Sequence, residues 1–270
     1  MTQRGPEVPE ATALYVFAAC RAPGAALVAG LPGLPGVPDD RPVRTLPFGP
    51  LTAVVQSVRA ADFTDEAWQA RLADERELER YARAHHAVVS AVAARCPTVP
   101  LPLATLYHGE DRAREALARE SDRFETALRR IAHHAEWGVK VFAPAARTPV
   151  VPDTPAPAER ARPAPGAGLA YLNRKRGLQE ARERRQEEAA RAADEVDAEL
   201  RLLATAFRRL RPHGPQQPGE HRVQVLNATY LVAEERAGEL ARLAEVLRDR
   251  TGAAIELSGP WVPYSFVGEV

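Results

Sequence analysis

The sequence predicts an α+β protein with two α+β domains. Strand-like and helix-like segments alternate irregularly over residues 1–146, without the regular strand–helix repeat that indicates a parallel sheet. Residues 147–168 are rich in proline and alanine, a composition typical of an extended linker. The order helix, strand, helix, strand then predicts a second, smaller α+β domain over residues 169–270.

The first domain opens with three predicted strands. Residues 13–20 form a short run of β-branched, aromatic and small residues, which is typical of a buried strand. A loop dense in glycine and proline follows, and residues 43–58 then predict two further strands. Pro47, Gly49 and Pro50 predict the turn between those two strands.

Two amphipathic helices are predicted in the rest of the first domain. The first spans residues 62–96, with Thr64 or Asp65 at its N-cap and apolar residues at a period of about 3.6. A proline-containing edge strand or extended segment follows, because proline cannot donate to a strand ladder. The second helix spans residues 109–137, and a strand over residues 136–143 closes the domain.

The second domain is predicted to contain a long helix over residues 171–211. Apolar residues spaced by three and four, from Ala189 to Leu210, predict a packed second half, whereas the charged first half predicts a solvent-exposed or coiled-coil segment. Gly252 predicts the end of a later helix. Three shorter elements, in the order strand, helix, strand, complete the domain: residues 221–233, 234–250 and 254–257.

The composition argues against several classes of protein. The 36 Lys and Arg residues balance 36 Asp and Glu residues, so no general nucleic-acid partner is expected. Cys20 and Cys96, the two cysteines, lack the spacing of a zinc site or a disulfide framework and predict free thiols in a reducing cytoplasm. Neither a signal-peptide pattern nor an apolar run of about 18 residues is present, so we expect a cytoplasmic protein without a membrane partner.

Two adjacent histidine pairs, His85–His86 and His133–His134, are the main candidates for chemistry. Neighbouring side chains on a helix point about 100° apart, which is a poor arrangement for chelating a metal. One histidine of each pair is therefore expected to be a hydrogen-bonded structural residue. The sequence also lacks a glycine-rich phosphate loop and a nucleophile elbow, so no catalytic residue, cofactor or metal is expected.

Several segments, in order along nearly the whole chain, resemble the gas vesicle accessory proteins F and L. They include LYVFAAC, LTAVVQSV, HHAVVSAV, EWGVKVF and AYLNRKR, and the ending GPWVPYSF is the most specific of them. The chain departs from the family pattern at Pro102, Leu103 and Ala104, where relatives tend to carry a basic, an aromatic and a small residue. The chain therefore lacks the basic side chain that relatives tend to have at this position.

The resemblance implies an N-terminal α+β domain and a ferredoxin-like C-terminal domain that carries the long helix. It implies a non-enzymatic accessory role in building gas vesicles, at the forming shell in the cytoplasm. The implied partners are the hydrophobic major shell protein, of the gas vesicle protein A type, and other gas vesicle accessory proteins, during nucleation and early shell growth. F-like and L-like roles both fit. Candidate contact or signature residues are Trp137, Lys140, Tyr171, Trp261, Tyr264 and Phe266.

Two other function classes stay open at the level of sequence. A small-molecule-binding or enzymatic α+β protein would use His86, His134 and Glu136 in a polar pocket. A nucleic-acid-binding helix would use the arginines of residues 174–185, although the interspersed glutamates favour a solvated helix.

The closing motif has two interpretations of its own. In the favoured one, Trp261 and Phe266 seal the core of the C-terminal domain, with the Tyr264 hydroxyl at its rim. In the other, the motif contacts the shell protein directly.

Overall fold

The structure is a computed structural model that describes residues 11–21, 23–38, 41–143, 167–212 and 223–268. It divides the chain into two compact units, Met1–Ala135 with Trp261–Val270, and Glu136–Pro260. This division differs from the expected one in two places: the strand after residue 134 joins the second unit, and the last ten residues join the first. Most of the expected linker lies outside the described residues.

A five-stranded antiparallel sheet forms the middle of the first unit. Its strands are β1 (Thr12–Arg21), β2 (Val43–Phe48), β3 (Leu51–Arg59), β4 (Thr98–Pro100) and β5 (Leu106–Tyr107). The order is β2-β3-β1-β4, with β5 also paired to β1. The three strands predicted before residue 60 are confirmed, and the proline-containing segment forms two short strands beside β1.

Helices flank this sheet, and each of the two predicted long helices is interrupted. The helices are α1 (Ala25–Gly30), α2 (Asp65–Ala73), α3 (Glu75–Ala93), α4 (Glu110–Arg119) and α5 (Ser121–Ile131). Thr64 caps α2 as predicted, since its hydroxyl accepts a hydrogen bond from the Ala67 N–H at 3.3 Å. Asp74 separates α2 from α3 because its carboxylate accepts the backbone N–H groups of Arg76 and Glu77.

The central strand β1 is buried on both faces. Leu14 and Val16 pack with the apolar residues of α4 and α5, whereas Tyr15 and Phe17 pack with those of α3. A bulge between Val16 and Ala18 breaks the alternation, so Phe17 and Ala18 both lie on the α3 side. Burial on two faces explains why this strand is apolar at every position from 13 to 20.

Gln56 on β3 is a buried polar residue that the sequence analysis did not single out. Its side-chain oxygen accepts the Val37 N–H at 2.9 Å, and its amide nitrogen donates to the carbonyl oxygens of Val37 and Arg41 at 3.1 and 2.8 Å. Gly36 adopts φ +56° directly against this side chain, where a Cβ would lie 2.5 Å from Gln56 Oε1. Gln56 thus holds the loop between α1 and β2 in place.

A four-stranded sheet and two helices form the second unit. The elements are β6 (His134–Phe142), α6 (Ala167–Leu203), β7 (Ala206–Arg209), β8 (Gln224–Ala233), α7 (Ala237–Thr251) and β9 (Ala254–Trp261). The strand order is β7-β8-β6-β9. The placement of β6 in the first domain is therefore wrong, because this strand takes its ladder partners from the second sheet. Gly252 ends α7 in the left-handed conformation, as predicted.

The long helix α6 differs from the prediction at its end. It stops at Leu203, and Thr205 and Leu210 then donate backbone hydrogen bonds to β8 at 2.8 and 2.7 Å. Phe207 and Leu210 therefore belong to an extended segment rather than to the helical seam. The two halves of α6 are as expected, with Val196 and Leu200 buried and residues 175–180 exposed. Among the described helices, none is both long and apolar enough to cross a membrane.

A buried carboxylate joins α6, β7 and β8. Asp197 has a side chain that is only 2% exposed, and it accepts hydrogen bonds from the Tyr230 hydroxyl at 2.5 Å and from Arg209 at 2.6 Å. Arg201 forms an ion pair with it at 2.5 Å and lies over the Phe207 ring. Although burial raises the pKa of Asp197, the hydrogen bonds from Tyr230 and Arg209 outweigh it and hold this pKa below its usual value.

The Asp197 cluster gives a direct stability prediction. We expect Asp197→Ala to lower the free energy of unfolding by about 3 kcal/mol, because two guanidinium groups and a buried hydroxyl lose their shared acceptor. Asp194→Ala is the matched control: it contacts the same Arg209 at 3.1 Å but is 74% exposed, so a loss below about 1 kcal/mol is expected. Urea unfolding, monitored by circular dichroism, measures the free energy of unfolding of both variants. Equal losses would contradict the assignment of Asp197 as the buried, shared acceptor.

Candidate functional site

The closing motif is anchored in the first unit. Val262 packs against the core on the α3 side of the sheet, and Val267 packs against the core on the α4 and α5 side. Phe266 lies between them in a 3-10 turn and is 3% exposed. Three apolar side chains thus hold the tail on one body of the protein.

The favoured interpretation of this motif is wrong. Trp261 is 50% exposed, and Phe266 is buried in the first unit rather than in the C-terminal one. The reason lies in the prolines, because Pro263 has no N–H with which to continue the ladder of β9. The chain accordingly leaves the strand at Trp261, and the residues after it pack elsewhere.

Trp261, Tyr264 and His86 form an aromatic surface on the first unit, which we call the tail surface. The His86 ring on α3 lies 6.2 Å from the Trp261 ring and 6.1 Å from the Tyr264 ring, measured between centroids. Tyr264 is 37% exposed, and burial of its hydroxyl end raises the pKa of this residue, so the hydroxyl stays protonated. Side chains of this kind combine a large apolar face with a polar group, which suits them to protein interfaces.

The other predicted contact residues are distributed over the second unit. Trp137 on β6 is partly buried against the core of that unit, and Lys140 on the same strand is exposed. Tyr171 lies on α6, and its side chain is outside the described residues. Of the six candidates, the structure brings together Trp261 and Tyr264 at the tail surface, and Phe266 is buried in the turn that begins at Tyr264.

One histidine of the first pair is structural, as predicted. His85 is buried, and its Nδ1 lies 2.9 Å from the Tyr15 hydroxyl, which itself accepts the Ala104 N–H at 3.1 Å. This contact joins α3 to the central strand β1. Burial lowers the pKa of His85 to about 4, and an interaction with the Leu101 backbone offsets part of that effect.

The residues proposed for a chemical site lie on two elements, His86 on α3 and His134 with Glu136 on β6. His86 contacts Ser90 at 3.2 Å and the two rings of the tail surface. His134 lies 2.7 Å from the Ala132 carbonyl oxygen, and Glu136 is buried at the start of the second unit. Within the part of the chain that the structure describes, no three His, Cys, Asp or Glu residues are placed to hold a metal ion.

Comparison with known proteins identifies the family. The profile of the family described as "Gas vesicle synthesis protein GvpL/GvpF" matches residues 13–268, nearly the entire chain. The chain belongs to this family. Gas vesicle protein L of Streptomyces sp. (strain CB03234) is 35% identical to it over 254 residues, which cover 94% of this chain and 92% of the relative. The resemblance noted in the sequence motifs is thereby confirmed.

Two crystal structures of GvpF show the same fold. The GvpF of Anabaena sp. PCC7120 matches with a TM-score of 0.62 over 96% of this chain and 97% of that protein. The GvpF of Microcystis aeruginosa matches with a TM-score of 0.60 over 95% of this chain and 99% of that protein. Both are 14% identical to this GvpL/GvpF family member, so the likeness concerns the fold alone.

The buried His85 predicts a pH-dependent stability for this GvpL/GvpF family member. Because its pKa of about 4 in the folded state is below the ordinary 6.5, the unfolded chain binds the proton more tightly. The contribution of the neutral His85 ring to the free energy of unfolding is complete above pH 6.5 and is lost as the pH falls towards 4. Between pH 7 and pH 5 the free energy of unfolding should fall by about 2 kcal/mol on account of this residue.

Two variants isolate this contribution. In His85→Gln the free energy of unfolding should fall by about 2 kcal/mol less between pH 7 and pH 5 than in wild type, because glutamine does not titrate. His108→Gln, at an exposed histidine of the same unit, should retain the wild-type dependence. Urea titrations at the two pH values measure the free energy of unfolding of each variant. If its change between pH 7 and pH 5 is the same in His85→Gln as in wild type, the buried ring is not the source of the pH dependence.

Proposed function

We propose that this protein is a non-enzymatic assembly factor that binds the major gas vesicle shell protein, of the gas vesicle protein A type, through the tail surface. Membership of the GvpL/GvpF family supplies the accessory role in gas vesicle formation. The single observation that supports the binding site is the pair of exposed aromatic rings, Trp261 and Tyr264, on a tail that is anchored in a core.

Physical chemistry supports a surface of this kind. A small shell protein with extensive apolar surface aggregates unless a partner covers that surface or orders its assembly. Large aromatic side chains bury much area with few rotatable bonds, so ordering them at an interface loses little entropy. Because Phe266 and Val267 already fix the tail, Trp261 and Tyr264 are held in place before a partner arrives.

The second unit supports further parts of the proposal. Its connectivity β6-α6-β7-β8-α7-β9, with strand order β7-β8-β6-β9, supports a ferredoxin-like domain. The exposed first half of α6 offers a charged surface to other gas vesicle accessory proteins, and the exposed Lys140 on β6 offers another contact. We place the protein in the cytoplasm at the forming shell, where nucleation and early growth require such contacts.

Co-purification with the shell protein tests the proposal. Tagged wild-type protein, co-expressed with the shell protein of the same gas vesicle gene set, should retain it. A Trp261→Ala, Tyr264→Ala double variant should retain at least about tenfold less, because central aromatic residues dominate the free energy of most interfaces. Leu72→Ala on α2, which also removes a large exposed apolar side chain from the first unit, should retain the wild-type amount.

The fold of the double variant must be checked in the same preparation. Since Trp261 and Tyr264 are 50% and 37% exposed, removal of both should leave the unfolding midpoint within a few degrees of wild type. A folded double variant that retains the shell protein like wild type would exclude the tail surface as the binding site.

A further inference from the structure

The two cysteines of the chain lie close together in the first unit. Cys20 is near the end of β1 and Cys96 follows α3, so the chain between them contains the strands β2 and β3 and the helices α1, α2 and α3. Thr98 on β4 lies directly opposite Cys20 in the antiparallel ladder, so their side chains share one face of the sheet. The Cys96 sulfur is 3.8 Å from the Thr98 hydroxyl and packs against the core that contains Cys20.

The two thiols have different surroundings. Cys20 is completely buried, and its thiol donates to the Thr52 carbonyl at 3.6 Å. Cys96 is partly exposed, and its thiol lies 3.7 Å from the Val92 carbonyl. Hydrogen bonding between the thiols raises the pKa of Cys20, as does burial, and lowers the pKa of Cys96, where this effect outweighs partial burial and a hydrogen bond with Thr98 acts in the same direction. Cys96 is therefore the thiol that ionises and that an oxidant can reach.

We propose that Cys20 and Cys96 form a peroxide-sensitive thiol pair that closes to an intrachain disulfide. The Cys96 thiolate attacks one oxygen of hydrogen peroxide, the O–O bond breaks, and hydroxide leaves and takes up a proton to give water. Cys96 is then a sulfenic acid. The Cys20 sulfur attacks the Cys96 sulfur, an S–S bond forms, and the hydroxyl leaves as a second water with the Cys20 proton. Two thiols and one peroxide thus give one disulfide and two waters.

The disulfide would join the central strand β1 to the segment between α3 and β4. Cys20 has no access of its own to solvent, so an oxidant reaches the pair through Cys96 alone. The order of events follows from this difference: Cys96 reacts first and Cys20 resolves it. The inference does not depend on the proposed binding of a shell protein, because it concerns the first unit of the protein by itself.

Mass spectrometry of the native, fully reduced protein tests the thiol pair. After treatment with hydrogen peroxide, the wild-type chain should lose about 2 Da, and a non-reducing digest should contain the peptide linked through Cys20 and Cys96. Thiol titration in denaturant should fall from two groups per chain to none. Native wild-type protein that keeps both thiols, under conditions that oxidise a cysteine peptide, would overturn the proposal.

Two variants separate the roles of the cysteines. Cys20→Ala, an apolar replacement for a buried thiol, should accumulate a dimedone-reactive sulfenic acid at Cys96. Cys96→Ala should oxidise at least about tenfold more slowly than wild type, because Cys20 is buried and protonated. A Cys96→Ala variant that reacts as fast as wild type would overturn the assignment of Cys96 as the attacking thiol.

A measurement on wild-type protein tests the proposal even if a cysteine variant does not fold. Iodoacetamide, added to native wild-type protein, should label Cys96 at least about tenfold faster than Cys20. Equal rates in the native state, or a disulfide that forms only after denaturation, would show that the fold does not create the pair.

Discussion

The first unit depends on one constraint, which is that strand β1 must be buried on both faces. Its neighbours in the ladder are β3 on one side and β4 and β5 on the other, and its side chains contact α3 above the sheet and α4 with α5 below it. The bulge after Val16 lets Phe17 and Ala18 fill the same layer. Because side-chain alternation fixes which residue enters which layer, a shift of one residue would place Tyr15 opposite the wrong helices.

Hydrogen bonds of buried polar residues make the arrangement of these cores specific. Tyr15 on β1 contacts His85 on α3, and Gln56 supplies hydrogen-bond partners to the backbone of the loop before β2. Asp197 accepts hydrogen bonds that join α6 to β7 and β8. A buried polar group is tolerated only with its hydrogen bonds, so each of these residues selects one arrangement of the elements around it.

Local sequence patterns predict most of the strands and helices, but they do not predict which elements pair or pack with one another. The apolar run of residues 13–20 and the caps at Thr64 and Gly252 act within a few residues, so the sequence reveals them. The assignment of β6 to the second sheet depends on hydrogen bonds to strands far along the chain, and no local signal encodes them. The apolar residues from Leu203 to Leu210 are spaced by four and three, as on one face of a helix, but the same spacing also fits a turn followed by a strand. The exposure of Trp261 depends in the same way on where the tail packs.

The return of the tail to the first unit affects the biosynthesis of the protein. Residues 1–135 emerge from the ribosome before the second unit, but Val262 and Val267, which pack against their core, are translated only after that unit. The aromatic rings of Trp261 and Tyr264 are therefore presented only by a chain that has also made its second unit. A chain that ends before Trp261 lacks these rings, so the binding proposed for the tail surface requires that the second unit has been translated first.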